Sequence, residues 1–449
     1  MANAAPPDSA LAVAEQPAAL MEAGAEAAGR RQWDAAARAF AAAARAEPGN
    51  AQAWLGLGAV AMEQKRYPLA LQAMGQARHL APHDPFAATN LAGLLRVLGR
   101  MDQALALAIE AASRLPDDPL VQLNRWLLAQ DLGHLDAAAE GYAMITRRWP
   151  QLSAAQYHLG HTRLVQGRLT EAETHLRECL RLDPRQDAAY QALVGLHLKR
   201  GEAAQALALV EAHRRQRTYD GYDIALRCIA LRQLGRTEEA AEVDDSRRWL
   251  RVHRLEQAPA GWADVPSFNA AILQHVQSHP ELGAHRGQAT HNGRRIENLL
   301  ENASGPIPPL AWWILDRLRD YLDGMRSRPH PLGRLVDATL ELRGWAVLMH
   351  EGGYETPHIH PGGLLSAVYY PAVPEIVARG AGDAGRLCFG EPDPLFPLDA
   401  PPEPFGIAPQ PGMLVIFPAW QWHHTVPFSS AQPRLSLAFD LSARPGATR

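Results

Sequence analysis

Small and apolar residues recur along the first half of the chain at helical spacing, and the pattern repeats every 34 residues. Pro48, Pro82, Pro116, Pro150 and Pro184 mark the step without insertion. Twelve positions before each proline stands an alanine: Ala36, Ala70, Ala104, Ala138 and Ala172. A larger residue often follows four later, as at Phe40, Met74, Tyr142 and Leu176. Near the start of the units come Gly24, Gly58, Ala92 and Gly160, with Trp54, Leu57, Leu91 and Leu159. Apolar positions three and four apart predict amphipathic helices, two to a unit. The clusters "QKRY", "VLGR", "DLGH" and "VQGR" fall where the two helices must turn. Proline cannot continue a helix, so it separates one unit from the next. A sixth unit, 187–220, keeps Tyr190, Leu193 and Ala206 but not the proline, and a seventh from 221 keeps Ala240 in phase. One such hairpin cannot bury its apolar face alone. Stacked hairpins share a continuous core and form a concave groove.

From about residue 256 the pattern changes. "VPSFNAAILQHVQSH" places Phe268, Ile272 and Val276 on one face of a helix, and "PPLAWWILDRLRDYLDGM" predicts a second. Then come short runs bounded by Gly and Pro: "TLELRGWAVLMH", "LLSAVYYP", "GRLCFGE", "GMLVIFPAW" and "RLSLAFDL". These predict strands. Two helices followed by strands point to a double-sheet core with helices packed on it, as in a jelly roll.

The period and the closing prolines match the tetratricopeptide pattern. The expected fold is therefore α + β in two domains: an all-α tetratricopeptide superhelix of about seven repeats over 17–255, and a jelly-roll (double-stranded β-helix) domain over 256–449. Residues 1–16 are expected to be disordered. Grooves of this kind hold an extended peptide or another protein. Asn90 and Asn124 occupy equivalent sites in successive units and are candidates for pairing with a peptide backbone, since an amide both donates and accepts. Ordinary helix-surface roles fit them as well.

Composition narrows the class. Of 449 residues, 47% are hydrophobic and 20% charged, with a net charge of −4. No strongly basic surface argues for nucleic acid or for an anionic membrane. No apolar run reaches the ~18 residues of a membrane span. The N-terminal stretch lacks the basic and apolar regions of a secretion signal. Three widely spaced cysteines, Cys179, Cys228 and Cys388, form no disulfide framework, so a reducing, cytoplasmic setting is expected.

The candidate chemistry lies in "YETPHIHPGGLLSAVYY". His358 and His360 are two apart, so in an extended segment both rings reach one side. A second pair, His423 and His424, follows "GMLVIFPAWQW", and "RLS" then brings Arg434 and Ser436, again two apart. A non-haem Fe(II) oxygenase needs two or three protein ligands and open positions, for which imidazole is suited. A buried arginine can hold the distal carboxylate of a keto-acid cosubstrate bidentately.

"HIHPGGLLSAVYY", "PGMLVIFPAWQWHHTVP" and "RLSLAFDL" together resemble a bacterial and phage group of 2-oxoglutarate/Fe(II)-dependent oxygenases, over roughly residues 256–445. The joining of repeats to such a domain also resembles the architecture of aspartyl/asparaginyl β-hydroxylases. The resemblance implies Fe(II) and 2-oxoglutarate as cofactors, O2 as cosubstrate and a peptide or protein substrate. It puts the proximal ligand at His358, the distal ligand at His423 and the cosubstrate arginine at Arg434, with Ser436 beside it and Tyr369 as a further cosubstrate donor. His360 stands where the familiar motif has a carboxylate. Three readings stay open: a three-histidine centre, a two-histidine centre with His360 behind it, or a carboxylate from elsewhere, such as Glu355. A three-histidine zinc hydrolase and a metal-free repeat scaffold are the rival functions.

Overall fold

The computed structural model describes residues 16–215, 221–283, 289–326, 330–332, 339–380, 382–398 and 405–443. All but the last residue of the segment expected to be disordered lies outside them. Helical hairpins follow one another at the expected period: α1 (Pro17–Gly29) with α2 (Trp33–Ala46), α3 (Ala51–Glu63) with α4 (Tyr67–Leu80), α5 (Pro85–Val97) with α6 (Met101–Arg114), and α7 (Pro119–Asp131) with α8 (Leu135–Arg148). Then come α9 (Ser153–Val165) with α10 (Leu169–Leu182), α11 (Asp187–Lys199) with α12 (Ala203–Arg214), and α13 (Gly221–Gln233) with the short α14 (Thr237–Ala241).

The periodic residues explain the packing. All five periodic alanines are fully buried on the second helix of their hairpin. Glycine on the first helix makes room for the large residue opposite: a Cβ on Gly58 would lie 2.6 Å from Met74, and one on Gly160 2.9 Å from Leu176. In the fourth hairpin the bulk changes sides. Trp126 stands on the first helix, and a Cβ on Gly141 of the second would fall 2.1 Å from its ring. The turn inside each hairpin needs one left-handed residue. Gly99, Gly133, Gly167, Gly201 and Gly235 supply it with φ between 72° and 87°.

By packing, the chain divides into two compact units. The first ends at Arg125, apart from Val97–Gly99. The second holds those three residues and everything from Trp126 onward.

In the second unit the remaining helices are α15 (Ser246–Trp249), α16 (Val265–Gln277), α17 (Ile307–Asp323) and α18 (Glu375–Ala378). The strands are β1 (Arg251–Arg254), β2 (Thr290–Ile296), β3 (Leu340–Glu355), β4 (Leu365–Ala372), β5 (Leu387–Phe389), β6 (Phe405–Ile407), β7 (Met413–Pro418), β8 (His423–Thr425) and β9 (Arg434–Ala443). They build a six-stranded antiparallel sheet, ordered β1-β7-β4-β9-β3-β2, and a three-stranded one, ordered β6-β5-β8. Both expected helices and all five expected strands are present.

Alternation along the strands divides the residues between two cores. Leu365, Ala367 and Tyr369 of β4, with Leu435, Leu437 and Phe439 of β9, face α16 and α17. Val368, Tyr370, Val415, Phe417 and Ala438 face the small sheet, where Leu387 and Phe389 meet them. The helix-side core also takes in Tyr190, Ile224 and Leu231 of α11 and α13. The last hairpins thus share one apolar core with the strand domain.

Candidate metal centre

β4 and β9 place one row of side chains between the sheets. His358 and His360 lie on the loop after β3, and His423 opens β8. The two segments are pinned by backbone: the N–H of His358 donates to the carbonyl of His423 at 3.0 Å, and the reverse bond is also 3.0 Å. The N–H of His360 donates to the carbonyl of Ala419 at 2.8 Å. One ring nitrogen from each of His358, His360 and His423 lies within 4.8 Å of the other two.

Each ring is oriented by a partner at Nδ1. His358 Nδ1–H donates to the Thr356 carbonyl at 2.7 Å and His423 Nδ1–H to the Gln421 carbonyl at 2.9 Å. His360 Nδ1–H donates to the Asp440 carboxylate at 2.7 Å. Because these acceptors fix the proton on Nδ1, the Nε2 lone pairs are left for a metal. Burial is the main force pushing His358 down to about 4; the Glu355 carboxylate opposes it and His360 adds to it. Burial, then His358 and His360, hold His423 well below the ordinary range. Both stay neutral near pH 7. Three imidazoles on a pinned backbone fit a divalent cation of the Fe(II) or Zn(II) type.

Arg434 faces the same space. It is only 2% exposed, its Nε has no hydrogen-bond partner, and no carboxylate among the described residues pairs with it. Its neighbours are the Tyr370 hydroxyl, 3.5 Å from Nη2, and the Met349 sulfur, 4.0 Å from Nη1. A buried guanidinium with no carboxylate hydrogen-bonded to it is costly, and an anion seated on it would offset that cost. Ser436, 6% exposed, lies two residues on along the same face.

Residues 343–440 match a family model described as "Putative 2OG-Fe(II) oxygenase". Tetratricopeptide models match 21–85 and 123–187, and again 61–125 and 163–218. The chain joins tetratricopeptide repeats to an oxygenase-family domain. Among solved structures, a tetratricopeptide repeat protein from Parabacteroides merdae is 20% identical, covering 50% of this chain and 89% of its own, with a TM-score of 0.42. YrrB, titled a TPR protein with an unusual peptide-binding site, is 19% identical over 39% of this chain and 90% of its own, with a TM-score of 0.32. No curated protein matches.

Within the oxygenase-family domain, some expected site residues stand elsewhere. Tyr369 projects away from Arg434. Alternation turns it toward the helices, where its buried hydroxyl donates to Asn269 of α16 at 2.7 Å. The next residue, Tyr370, is the one beside Arg434. His424 points to the opposite side from His423 and lies 3.7 Å from Glu391. Glu355 is outside the histidine group. Its carboxylate accepts from Thr290 at 3.2 Å. Burial alone would raise its pKa, but the positive charges around it, Arg295 and Arg434 among them, hold it low. In the first unit, Asn90 turns its amide back on its own helix, donating to the Phe86 carbonyl at 3.0 Å. Asn124 is half-buried on α7.

Two participants were not singled out from the sequence, Asp440 and Ser366. Asp440 continues the two-residue rhythm of Arg434 and Ser436, which is the signal that would have found it.

The last hairpins touch the loops that carry the histidines. The N–H of Gly221 donates to the Pro361 carbonyl at 3.2 Å. Tyr222 lies edge-on to Trp422, with centroids 6.3 Å apart. Leu395 packs on Gly195 of α11, and Gln233 of α13 donates to the Pro397 carbonyl at 2.6 Å.

Proposed function

We propose that the C-terminal domain is a 2-oxoglutarate-dependent, non-haem Fe(II) oxygenase that hydroxylates a side chain on a peptide or protein recruited by the repeats. The observation that carries this reading is the buried Arg434, with no carboxylate among the described residues hydrogen-bonded to it, on the same face as three imidazoles. A zinc hydrolase has a use for the imidazoles but no standing need for the arginine. The balance is that of the resembling family: 2-oxoglutarate, O2 and substrate C–H give succinate, CO2 and C–OH. One oxygen atom enters succinate and the other the substrate.

His358, His360 and His423 would hold the metal, which when bound supplies the capacity to activate O2. Arg434 presents two parallel N–H donors to the distal carboxylate of 2-oxoglutarate, with Ser436 beside it and Tyr370 steadying the guanidinium. Val368, Phe389 and Phe417 line the space and exclude water. Recruitment through Asn90 and Asn124 belongs to the same reading, with Asn90 offering chiefly its carbonyl oxygen. Among the described residues no helix is long and apolar enough to cross a membrane, and all three cysteines are free. A cytoplasmic setting accords with both.

The test is anaerobic Fe(II) loading of the full chain, followed by metal analysis and by 2-oxoglutarate turnover with cellular proteins. Succinate formation and a one-oxygen mass gain on a captured protein, both absent in His358→Ala, are expected. Zinc retention with no succinate would sink the oxygenase reading.

A further inference from the structure

The three-histidine set leaves a charge problem. Three neutral imidazoles add nothing to offset a divalent cation in a buried site, and uncompensated buried charge is strongly disfavoured. The keto-acid end of the cosubstrate brings one carboxylate to the metal, since Arg434 is placed for the other. One positive charge is left over.

Asp440 lies where it can answer that charge. Its Oδ1 accepts from His360 Nδ1–H at 2.7 Å. The Ser366 hydroxyl donates to the same oxygen at 2.7 Å and lies 2.8 Å from His360 Nδ1. Ser366 and Asp440 face each other across the β4–β9 ladder, so strand register fixes the arrangement. Both members of the pair are largely buried, with side-chain exposures of 12% for His360 and 17% for Asp440. Among the described residues, no other carboxylate is hydrogen-bonded to any of the three rings. The acceptors at His358 and His423 are neutral carbonyls. Glu355, the nearest rival, is engaged by Thr290 and Arg295.

We propose that Asp440 is the charge-compensating residue of the metal centre, acting through the His360 ring rather than by direct ligation. The proposal rests on the metal-centre reading above. A carboxylate on Nδ1–H makes Nε2 more basic and draws positive charge off the metal through the ring. His360 is then a ligand, and its ring is the link between the cation and the carboxylate. Asp440 is a positioning residue: it touches neither metal nor substrate.

The test uses the metal-free full chain, titrated with Co(II), whose visible bands report ligation. Asp440→Asn keeps an oxygen to accept from Nδ1–H but removes the charge. Its Co(II) affinity should fall by about ten- to a hundredfold, the usual range for such outer partners, with shifted bands and an unchanged melting temperature of the metal-free protein. Ser366→Ala keeps the charge and should lose clearly less Co(II) affinity than Asp440→Asn. The proposal is overturned if Asp440→Asn binds like wild type. It also fails if the loss is matched by destabilisation of the metal-free chain, or if Ser366→Ala weakens binding equally. A wild-type chain that takes up no Co(II), or a His358→Ala variant that binds as tightly as wild type, overturns the metal-centre reading and the proposal together. Binding lost in His358→Ala but untouched in Asp440→Asn overturns the proposal alone.

Discussion

Lys65, at φ 58°, and Arg31, at φ 57°, stand in left-handed backbone where the five later hairpins use glycine. A side chain there costs roughly 1–2 kcal/mol against its Cβ. Lys65→Gly should therefore raise the melting temperature of the first unit, by an amount worth about 1 kcal/mol, read by calorimetry. At the site, Arg434→Lys keeps the charge but loses the planar fork. Hydrogen bonds to charged groups contribute about 1.5–3 kcal/mol, so the KM for 2-oxoglutarate should rise about tenfold or more while Co(II) binding holds. The two tyrosines separate cleanly. Tyr369→Phe strands the buried Asn269 oxygen, costing about 1–3 kcal/mol of stability with no change in that KM. Tyr370→Phe should raise the KM several-fold with little loss of stability. The same pair marks the limit of reading a site from sequence. "VYY" shows two adjacent aromatics, but which one faces Arg434 depends on sheet register, and a shift of one residue reverses it. His358, His423 and Arg434 were legible because spacing and order carried them. Asp440 was harder to read: the two-residue rhythm of β9 reaches it, but its partner His360 is 80 residues away on a loop.

The elements found from sequence are those with a continuous apolar run or a helical stripe. The four strands missed have neither. β1 and β2 are the outer strands of the large sheet and read "RVHR" and "THNGRRI". Charge on an edge strand discourages pairing with another chain, and it also erases the apolar signal. β6 and β8 are three residues each, and unlike the equally short β5, apolar throughout as "LCF", they are broken by Gly406 or opened by His423 and His424. Among helices, α13 has a role beyond its hairpin. A Cβ on Gly221, its first residue, would come 2.9 Å from the Pro361 carbonyl oxygen and 3.0 Å from its Cα. Those are backbone atoms of the loop that carries His360, so they cannot swing aside. Gly221→Ala should shift that loop. It should weaken Co(II) binding and lower the melting temperature together, whereas a surface alanine substitution on α12 should change neither.

At the scale of the molecule, the change of texture near residue 256 is not where the packing divides. One apolar core links Tyr190, Ile224 and Leu231 to Phe268, Leu414 and Phe439. A fragment of residues 256–449 would expose that core along with Trp422, Phe396 and Leu395. It should be insoluble or bind no Co(II), while residues 119–449, which keep α7 whole, should stay soluble and bind. Sedimentation and Co(II) titration of the two fragments would decide. The segment from Asp393 to Leu398 crosses α11 and α13; burial pushes the pKa of His161 in α9 down, and the Asp393 carboxylate opposes it. On that stretch the hairpins already have an occupant supplied by their own chain. For anyone regrafting the oxygenase-family domain onto another repeat array, the usable joint therefore lies within the repeats. Hairpins before α7 are the exchangeable part, and those from α9 onward travel with the oxygenase-family domain as its wall.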